Sequence, residues 1–458
     1  MRLTVIGCGH LGATHAACMA ELGHDVLGVD IDQDKVELLN TGRAWFSEPG
    51  LDEMLTRHTH QGRLRFTTSF AEAAGFASVH FLGVGTPSLP DDDGYDLSQV
   101  FGSMAALAPH LTGPALVIGK STVPPGTTGR LAGELNKIAP AQGTIEVAWN
   151  PEFLREGHAV ADTLRPDRLV AGVPSPAAEA TVREIYRPLT EAGVPLIITD
   201  AVTAELVKGA ANAFLATKVS FINAMADICD TTGADVATLA DALGMDSRIG
   251  RAFLTAGLGY GGGCLPKDLR GLRAFAATAG TRGTGTTSLL TAVDDINSAR
   301  RQRVVNLATS LLGALPGKRI ALWGAAFKPG TDDVRDSPGL DVADRLSRLG
   351  AEVVVYDPEA TGNALVAFPH LGYADSAAAA AHQAAAVLVV TAWPEFAAID
   401  PAATTATVRD RLIIDACQGI DPVRWRAEGW TVAAPFPTQD HHPERTRLTP
   451  GAPAPHQG

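Results

Sequence analysis

The octapeptide Gly261-Gly262-Gly263-Cys264-Leu265-Pro266-Lys267-Asp268 sets a thiol behind three glycines and four residues ahead of a carboxylate. Glycines let backbone amides approach a ligand where a Cβ would intrude. If a helix starts here, residues four apart share one face, so Cys264 and Asp268 address the same volume. A thiol at a helix start beside Lys267 is expected to have its thiolate favoured by the helix dipole and the neighbouring cation, which is the state a nucleophile requires. A small buried cysteine in a glycine turn accounts for the same residues without any chemistry. Other motifs have to separate the two readings.

A second group stands at the start of the chain. Gly7-Cys8-Gly9-His10-Leu11-Gly12 follows the strand-like run Leu3 to Ile6 and precedes a helix-like stretch, and Asp30 closes the next strand-like run 18 residues beyond Gly12. This is the context of a dinucleotide fingerprint: the glycines permit a tight turn, close approach of a pyrophosphate and helix-sheet packing. Amides at the helix start, around His10 and Leu11, would face the phosphates. Asp30 would accept from the adenosine ribose hydroxyls and repel a 2′-phosphate, so NAD is expected rather than NADP.

The elements that must position these groups are legible in outline. Apolar strand-like runs at Leu3 to Ile6, Val26 to Val29, Val79 to Val84, Ala115 to Ile118 and Ile145 to Trp149 alternate with helical patterns, the rhythm of a parallel, doubly wound sheet. From about Asp200 to Thr232 the pattern becomes one long helix, and further helical sequence ends near Leu312. Gly317 to Gly324 then opens a second strand-and-turn unit, with strands expected at Val353 to Asp357, Ala386 to Thr391 and Arg411 to Asp415. The expected fold is α/β: two Rossmann-like, doubly wound parallel-sheet domains joined by a long central helix and a helical middle domain. The boundaries read as 1–199, 200–313 and 314–437, with a Pro- and His-rich tail over 438–458 expected to be disordered. The second unit keeps Gly324 but lacks the fingerprint, so it is not expected to hold NAD; Lys328 and Arg335 nearby are candidate diphosphate ligands.

Composition narrows the function. With 458 residues, 46% hydrophobic and 19% charged, the chain is globular and large enough for two or three domains. A net charge of −13 without a basic stripe argues against nucleic acid. Met1 to Ile6 reads as a first strand rather than a targeting signal, and no apolar run is long enough for a membrane span. Five scattered cysteines (Cys8, Cys18, Cys229, Cys264, Cys417) suit a reducing cytoplasm and offer no metal-ligand spacing. His24, His58, His60 and the His441-His442 pair lack partners at ligand spacing and read as solvated.

Several motifs together resemble the UDP-glucose/GDP-mannose dehydrogenase family over nearly the whole chain, to about residue 425. They are the fingerprint, Glu48-Pro49-Gly50-Leu51, Val84-Gly85-Thr86-Pro87, Lys120 through Thr127, Asn150-Pro151-Glu152-Phe153-Leu154-Arg155-Glu156-Gly157, the Lys208 to Asn212 segment, the Cys264 octapeptide, and Lys328 through Arg335. The resemblance implies oxidation of carbon 6 of a nucleotide sugar from alcohol to carboxylate with two NAD, through a thiohemiacetal and a thioester on Cys264. It assigns Lys208 and Asn212 to the oxygen on carbon 6, Asp268 to proton handling or water positioning, and Glu152 with Thr122 to the water that cleaves the thioester. It places Asp30, Lys35, Thr86, Thr122, Glu156, Lys267 and Arg335, with the fingerprint residues, around the cofactor. Substrate contacts are implied for Glu152, Phe153, Leu154, Lys208, Asn212, Phe253, Leu254, Gly257, Tyr260, Gly261 and Lys328. Arg248 matches an arginine that reaches a neighbouring subunit's substrate, which implies a homodimer or higher oligomer.

Two departures stand out. Asp415-Ala416-Cys417-Gln418 lacks an arginine usual in the family, and Ala392 stands where a glutamate is common. The phrase Arg248-Ile249-Gly250 with Phe253-Leu254 and Gly259-Tyr260-Gly261 favours UDP-glucose over GDP-mannose or a UDP-N-acetyl-hexosamine. A two-electron hydroxy-acid dehydrogenase, which needs no thiol, and a silent binding protein remain as other readings.

Overall fold

Short runs rich in Val, Ile and Leu, buried on both faces, build two sheets, as a parallel sheet covered by helices requires. The computed structural model describes residues 1–90, 92–280 and 285–436. The first sheet comprises β1 (Arg2–Ile6), β2 (Asp25–Val29), β3 (Leu64–Thr67), β4 (Val79–Leu82), β5 (Ala115–Gly119), β6 (Ile145–Trp149), β7 (Leu169–Gly172) and β8 (Leu196–Thr199). Its spatial order is β3-β2-β1-β4-β5-β6-β7-β8, and β7 runs antiparallel to β6 while every other pair is parallel. The second sheet comprises β9 (Arg319–Trp323), β10 (Glu352–Tyr356), β11 (Gly372–Tyr373), β12 (Ala386–Val389), β13 (Leu412–Asp415) and β14 (Thr431–Ala433). These lie in the order β11-β10-β9-β12-β13-β14, all parallel. In each sheet the winding reverses beside the first strand, between β1 and β4 and between β9 and β12, which opens a crevice at the carboxyl ends of the strands.

Four helices of the described residues fill the middle, the shortest being Val236–Gly244. The connecting helix Ala201–Thr232 starts on Asp200, whose Oδ1 accepts from the Thr203 amide at 2.8 Å, and stops at left-handed Gly233. The cysteine helix Leu265–Thr278 and the long helix Thr286–Leu312 pack on it, and Ser220 Oγ donates to the Val293 carbonyl at 2.7 Å.

The α/β class and the long helix agree with the sequence reading. Strands β3, β7 and β8 were not foreseen, and the antiparallel step at β7 departs from an all-parallel sheet. Two histidines expected to be solvated are buried. His24 Nε2 meets the Ile185 carbonyl at 3.0 Å, and His58 Nε2 meets Glu21 Oε2 at 2.6 Å. His441, His442 and the 438–458 tail lie outside the described residues.

Candidate active site

The fingerprint turn packs as its glycines require. Gly7 has φ +85°, and a Cβ on Gly12 would run into the Gly7 carbonyl, whereas the space above Gly9 is open. The helix His10–Glu21 begins here with no side-chain cap, so its first amides are left for a ligand. Asp30 Oδ2 accepts from Cys8 N at 2.7 Å and Oδ1 from Asp32 N at 3.1 Å. Lys35 pairs with Asp32 at 3.3 Å and lies 5.2 Å from the centre of the Trp45 ring. The His10 ring packs against Trp45 and Phe46, with centroids 4.6 and 4.1 Å away, and burial lowers its pKa to about 4, so it is neutral at physiological pH. At the neighbouring strand end, Thr86 Oγ1 donates to the Thr122 carbonyl at 2.8 Å. An open N-terminus, a vacant approach over Gly9 and a carboxylate at the end of β2 fit a dinucleotide.

At the matching turn of the second sheet, Gly324 has φ +113°, and Asp357 Oδ2 accepts from Ala325 N and Ala326 N. That same oxygen takes the Trp393 indole N–H at 2.9 Å, and a Cβ on Gly324 would meet Thr391. This turn repeats the first in outline while its acid is buried within the protein's own contacts.

Cys264 caps the cysteine helix, and the Asp268 amide donates to its carbonyl at 2.8 Å. Asp268 is fully buried: its carboxylate accepts from Asn212 Nδ2 at 2.5 Å and pairs with Lys267 Nζ at 2.7 Å. One turn earlier on the connecting helix, Lys208 is buried and pairs with Glu152 Oε1 at 2.8 Å; the other Glu152 oxygen accepts from Leu154 N at 2.7 Å. The structure therefore brings Cys264, Lys208, Asn212, Asp268 and Glu152 together from three separate segments. Metal-binding clusters of His, Cys, Asp or Glu are absent among the described residues.

The electrostatics differ from the sequence expectation. Solvent reaches the Cys264 side chain, yet the surrounding protein pushes its pKa up to about 11; Lys208 opposes this, while Glu152, Asp268 and Glu156 add to it. The cations that act on the thiol are Lys208 and, across Gly263, Arg335, rather than Lys267, whose ammonium is engaged by Asp268 and lies 4.7 Å from the Tyr95 ring centre. Burial alone would depress Lys208, but Glu152, Cys264 and Asp268 hold its pKa above the usual lysine value. The glycines before Cys264 are required first by packing. Gly262 N donates to the Arg335 carbonyl at 2.9 Å, a Cβ on Gly261 would strike Asp336 O and Pro338, and one on Gly263 would meet the Arg335 guanidinium.

The remaining expected residues divide. Arg335 pairs with Asp333 and Glu156, and Lys328 Nζ donates to the Glu156 carbonyl at 2.6 Å, so both reach the loop after β6. Phe153 lies 4.0 Å from the Arg168 guanidinium, measured to its ring centre, and 6.0 Å from Lys208. Phe253 is exposed at φ +65°, whereas Leu254 is buried. Tyr260 is 5% exposed, its hydroxyl has no partner among the described residues, and Arg270, Asp294, Asp336 and Arg301 act on it. Arg248 is 86% exposed and pairs with Asp246, away from this chain's own cluster.

Lys120 is a member of the cluster to which sequence reasoning gave no role. Its ammonium is buried and donates to Asn150 Oδ1 at 3.0 Å and to the Asn150 carbonyl at 3.4 Å. Tyr186 donates to the same Asn150 Oδ1 at 2.6 Å. Burial pushes the Lys120 pKa down to about 8; nearby Glu152 raises it and Lys208 lowers it. The signal was its place in the Lys120-Ser121-Thr122 run, but lysine is almost never fully buried, so nothing in composition flagged it.

A dinucleotide crevice facing a buried Lys-Asn-Asp-Glu cluster around a reachable thiol defines a dehydrogenase. The chain belongs to the UDP-glucose/GDP-mannose dehydrogenase family: residues 1–190 match its NAD binding domain, 202–299 its central domain and 321–422 its UDP binding domain. It is 44% identical to the UDP-glucose 6-dehydrogenase of Haloferax volcanii over 91% of this chain and 96% of that protein. It is 40% identical to the UDP-glucose 6-dehydrogenase of Rhizobium meliloti, covering 91% and 94%. The solved UDP-glucose dehydrogenase of the archaeon Pyrobaculum islandicum superposes with a TM-score of 0.86 at 36% identity, covering 93% of this chain and 98% of that one. NAD is thus the cofactor. Among the described residues no helix is long and apolar enough to cross a membrane.

Proposed function

We propose that this dehydrogenase oxidises UDP-glucose to UDP-glucuronate, with residues 1–199 holding NAD, 200–313 carrying the reacting cluster and 314–437 binding the nucleotide. The observation that carries the reading is the convergence of Cys264, Lys208, Asn212, Asp268 and Glu152 on one volume, joined to the family's NAD and UDP binding domains. NAD supplies the acceptor for two hydrides, one lost from the carbon 6 alcohol and one from the Cys264 adduct. Lys208 and Asn212, four residues apart on one helix face, bind the carbon 6 oxygen and stabilise its developing negative charge. The Cys264 sulfur bonds to the aldehyde carbon, and its proton leaves to the carboxylate cluster, which offsets the raised thiol pKa. Glu152, aided by Thr122, takes a proton from the water that cleaves the thioester and releases the carboxylate. Overall, one alcohol, two NAD and one water give one carboxylate, two NADH and three protons.

A second copy of the chain fits the same reading. The connecting helix presents Phe214, Phe221 and Ile228 to solvent at seven-residue intervals, an apolar stripe of the kind a partner helix covers. Arg248 is exposed on the loop whose Gly250 carbonyl accepts from Lys218 Nζ of that helix at 3.0 Å, and is then available to a neighbour's site.

Purified protein given limiting UDP-glucose and excess NAD is expected to form two NADH per sugar, falling to a trace in Cys264→Ser. One NADH per sugar, or full turnover by Cys264→Ser, overturns the thioester route. Turnover confined to GDP-mannose or a UDP-N-acetyl-hexosamine overturns the substrate.

A further inference from the structure

Gly257 is clasped from four directions. Its amide donates to Asn223 Oδ1 on the connecting helix at 3.0 Å, and its carbonyl accepts from Arg300 Nε on the long helix at 3.3 Å. A Cβ at Gly257 would touch the Ala416 carbonyl and the Cys417 Cα, so the turn after β13 lies directly against it. One residue earlier, the Ala256 carbonyl accepts from Gln418 Nε2 at 3.0 Å. The fourth direction is the segment Ala434–Phe436. After β14 the backbone leaves the second sheet and returns to the helices, where Phe436 is buried against Leu254, Ala256, Ile222 and Ala226.

Arg300 joins these pieces. Its side chain is 2% exposed and its three nitrogens bond the Gly257 carbonyl, Asp227 Oδ1 at 2.6 Å and the Pro435 carbonyl at 3.1 Å. Arg303 adds a second donor to the Pro435 carbonyl at 2.7 Å while pairing with Asp227 and Asp230. A buried guanidinium is costly unless each face is satisfied, so withdrawing the Pro435 carbonyl leaves Arg300 short of an acceptor. Both Arg300 and the segment Ala434–Phe436 lie outside the ranges that match the family's domains.

We infer that the strap Ala434–Phe436 and Arg300 are positioning elements that hold the Leu254–Gly257 segment in its binding conformation, so that affinity for the sugar nucleotide depends on that strap. The inference rests on the reading that this segment meets the nucleotide sugar. A segment held in place binds without first having to be ordered, whereas a loosened one spends binding energy on ordering itself. The strap touches neither Cys264 nor the fingerprint turn, so chemistry and NAD binding stay as they are.

The experiment compares wild type, Phe436→Ala, Phe436→Leu and Arg303→Gln, measuring KM for UDP-glucose, KM for NAD, kcat and, by calorimetry, binding of UDP. Phe436→Ala is expected to raise the sugar-nucleotide KM and the UDP dissociation constant about tenfold, equivalent to about 1.4 kcal/mol. Phe436→Leu restores most of that loss, while KM for NAD and kcat stay within about twofold, the scatter expected of a change remote from both. Arg303→Gln, which keeps the core intact, gives a smaller shift in the same direction and covers the case in which Phe436→Ala fails to fold. Unchanged sugar-nucleotide KM in folded variants overturns the inference, as does an equal loss in both KM values. A wild-type protein that binds neither UDP nor UDP-glucose overturns the substrate reading instead, because that result precedes any comparison of variants.

Discussion

At the scale of single residues, the decisive quantity is the charge state of Cys264. Burial first, then Glu152, Asp268 and Glu156, push its pKa up to about 11 against the pull of Lys208, which makes the free enzyme a thiol at neutral pH. Alkylation follows the thiolate, so the iodoacetamide rate at Cys264 is expected to climb about tenfold per pH unit from 7 to 10 and to level near 11. Removing the cation in Lys208→Met slows alkylation at pH 8, and removing a carboxylate in Glu152→Gln accelerates it. Mass-resolved labelling of Cys264 checks all three; a wild-type plateau below pH 8 would mean the thiolate is preformed. Residue types and spacing singled out Cys264 and Asp268, four apart where a helix begins, whereas Lys208 and Asn212 were pointed to only by the family resemblance. Spacing did not reveal which cations act on the sulfur, since sequence neighbours and spatial neighbours differ: Lys267 adjoins Cys264 in the chain but is held by Asp268. Tyr260 and Lys120 were hidden for a related reason, for burial runs against what their polar groups suggest.

The elements owe their register to a few polar caps. Glu205, the fifth residue of the connecting helix, is buried and accepts from Gly126 N and Thr128 N at 2.6 Å each and from Thr128 Oγ1 at 2.5 Å. It thereby caps the helix Thr127–Ile138, which has no cap of its own, and ties it to the connecting helix. Glu205→Ala strands two amides at a buried site, a cost of about 2 to 4 kcal/mol. Hydrogen exchange is expected to quicken across Thr127–Ile138 while amides of the second sheet keep their protection, and uniform protection would show that the cap is dispensable. The longer elements could be read because their patterns are sustained: the connecting helix runs from its Asp200 cap to Gly233, and β9 and β10 are unbroken apolar runs. Strand β3, four residues with Arg65 at its centre, carries too little apolar sequence to stand out from loop, and edge strand β8, though apolar over Leu196–Ile198, is only four residues long; the pairing that makes them strands is tertiary.

At the scale of the whole molecule, the two sheets meet through the loop after β6. A Cβ on Gly157 would enter the Gly330 carbonyl, Lys328 reaches the Glu156 carbonyl, and Arg335 bridges Glu156 and Asp333. No sequence pattern declares such a seam, because its two sides lie some 170 residues apart. Burial, then Asp333, raise the Glu156 pKa from 4.5 to about 7, with Arg335 opposing. Between those values the folded chain holds a proton that the unfolded chain has released. Its contribution to stability is therefore fully present below about 4.5 and is lost as pH rises through about 7. Arg335 is more than half exposed, so its pairing restores little of that loss in water. Glu156→Gln keeps the shape without the titration. Its melting temperature is expected to fall less than that of wild type between pH 5 and pH 8, with the variant gaining on wild type across that interval. Every other titrating group is common to both proteins, so the difference between the two curves isolates this carboxyl. Parallel curves would mean that Glu156 is ionised throughout and that the seam is held by its charges rather than by a shared proton.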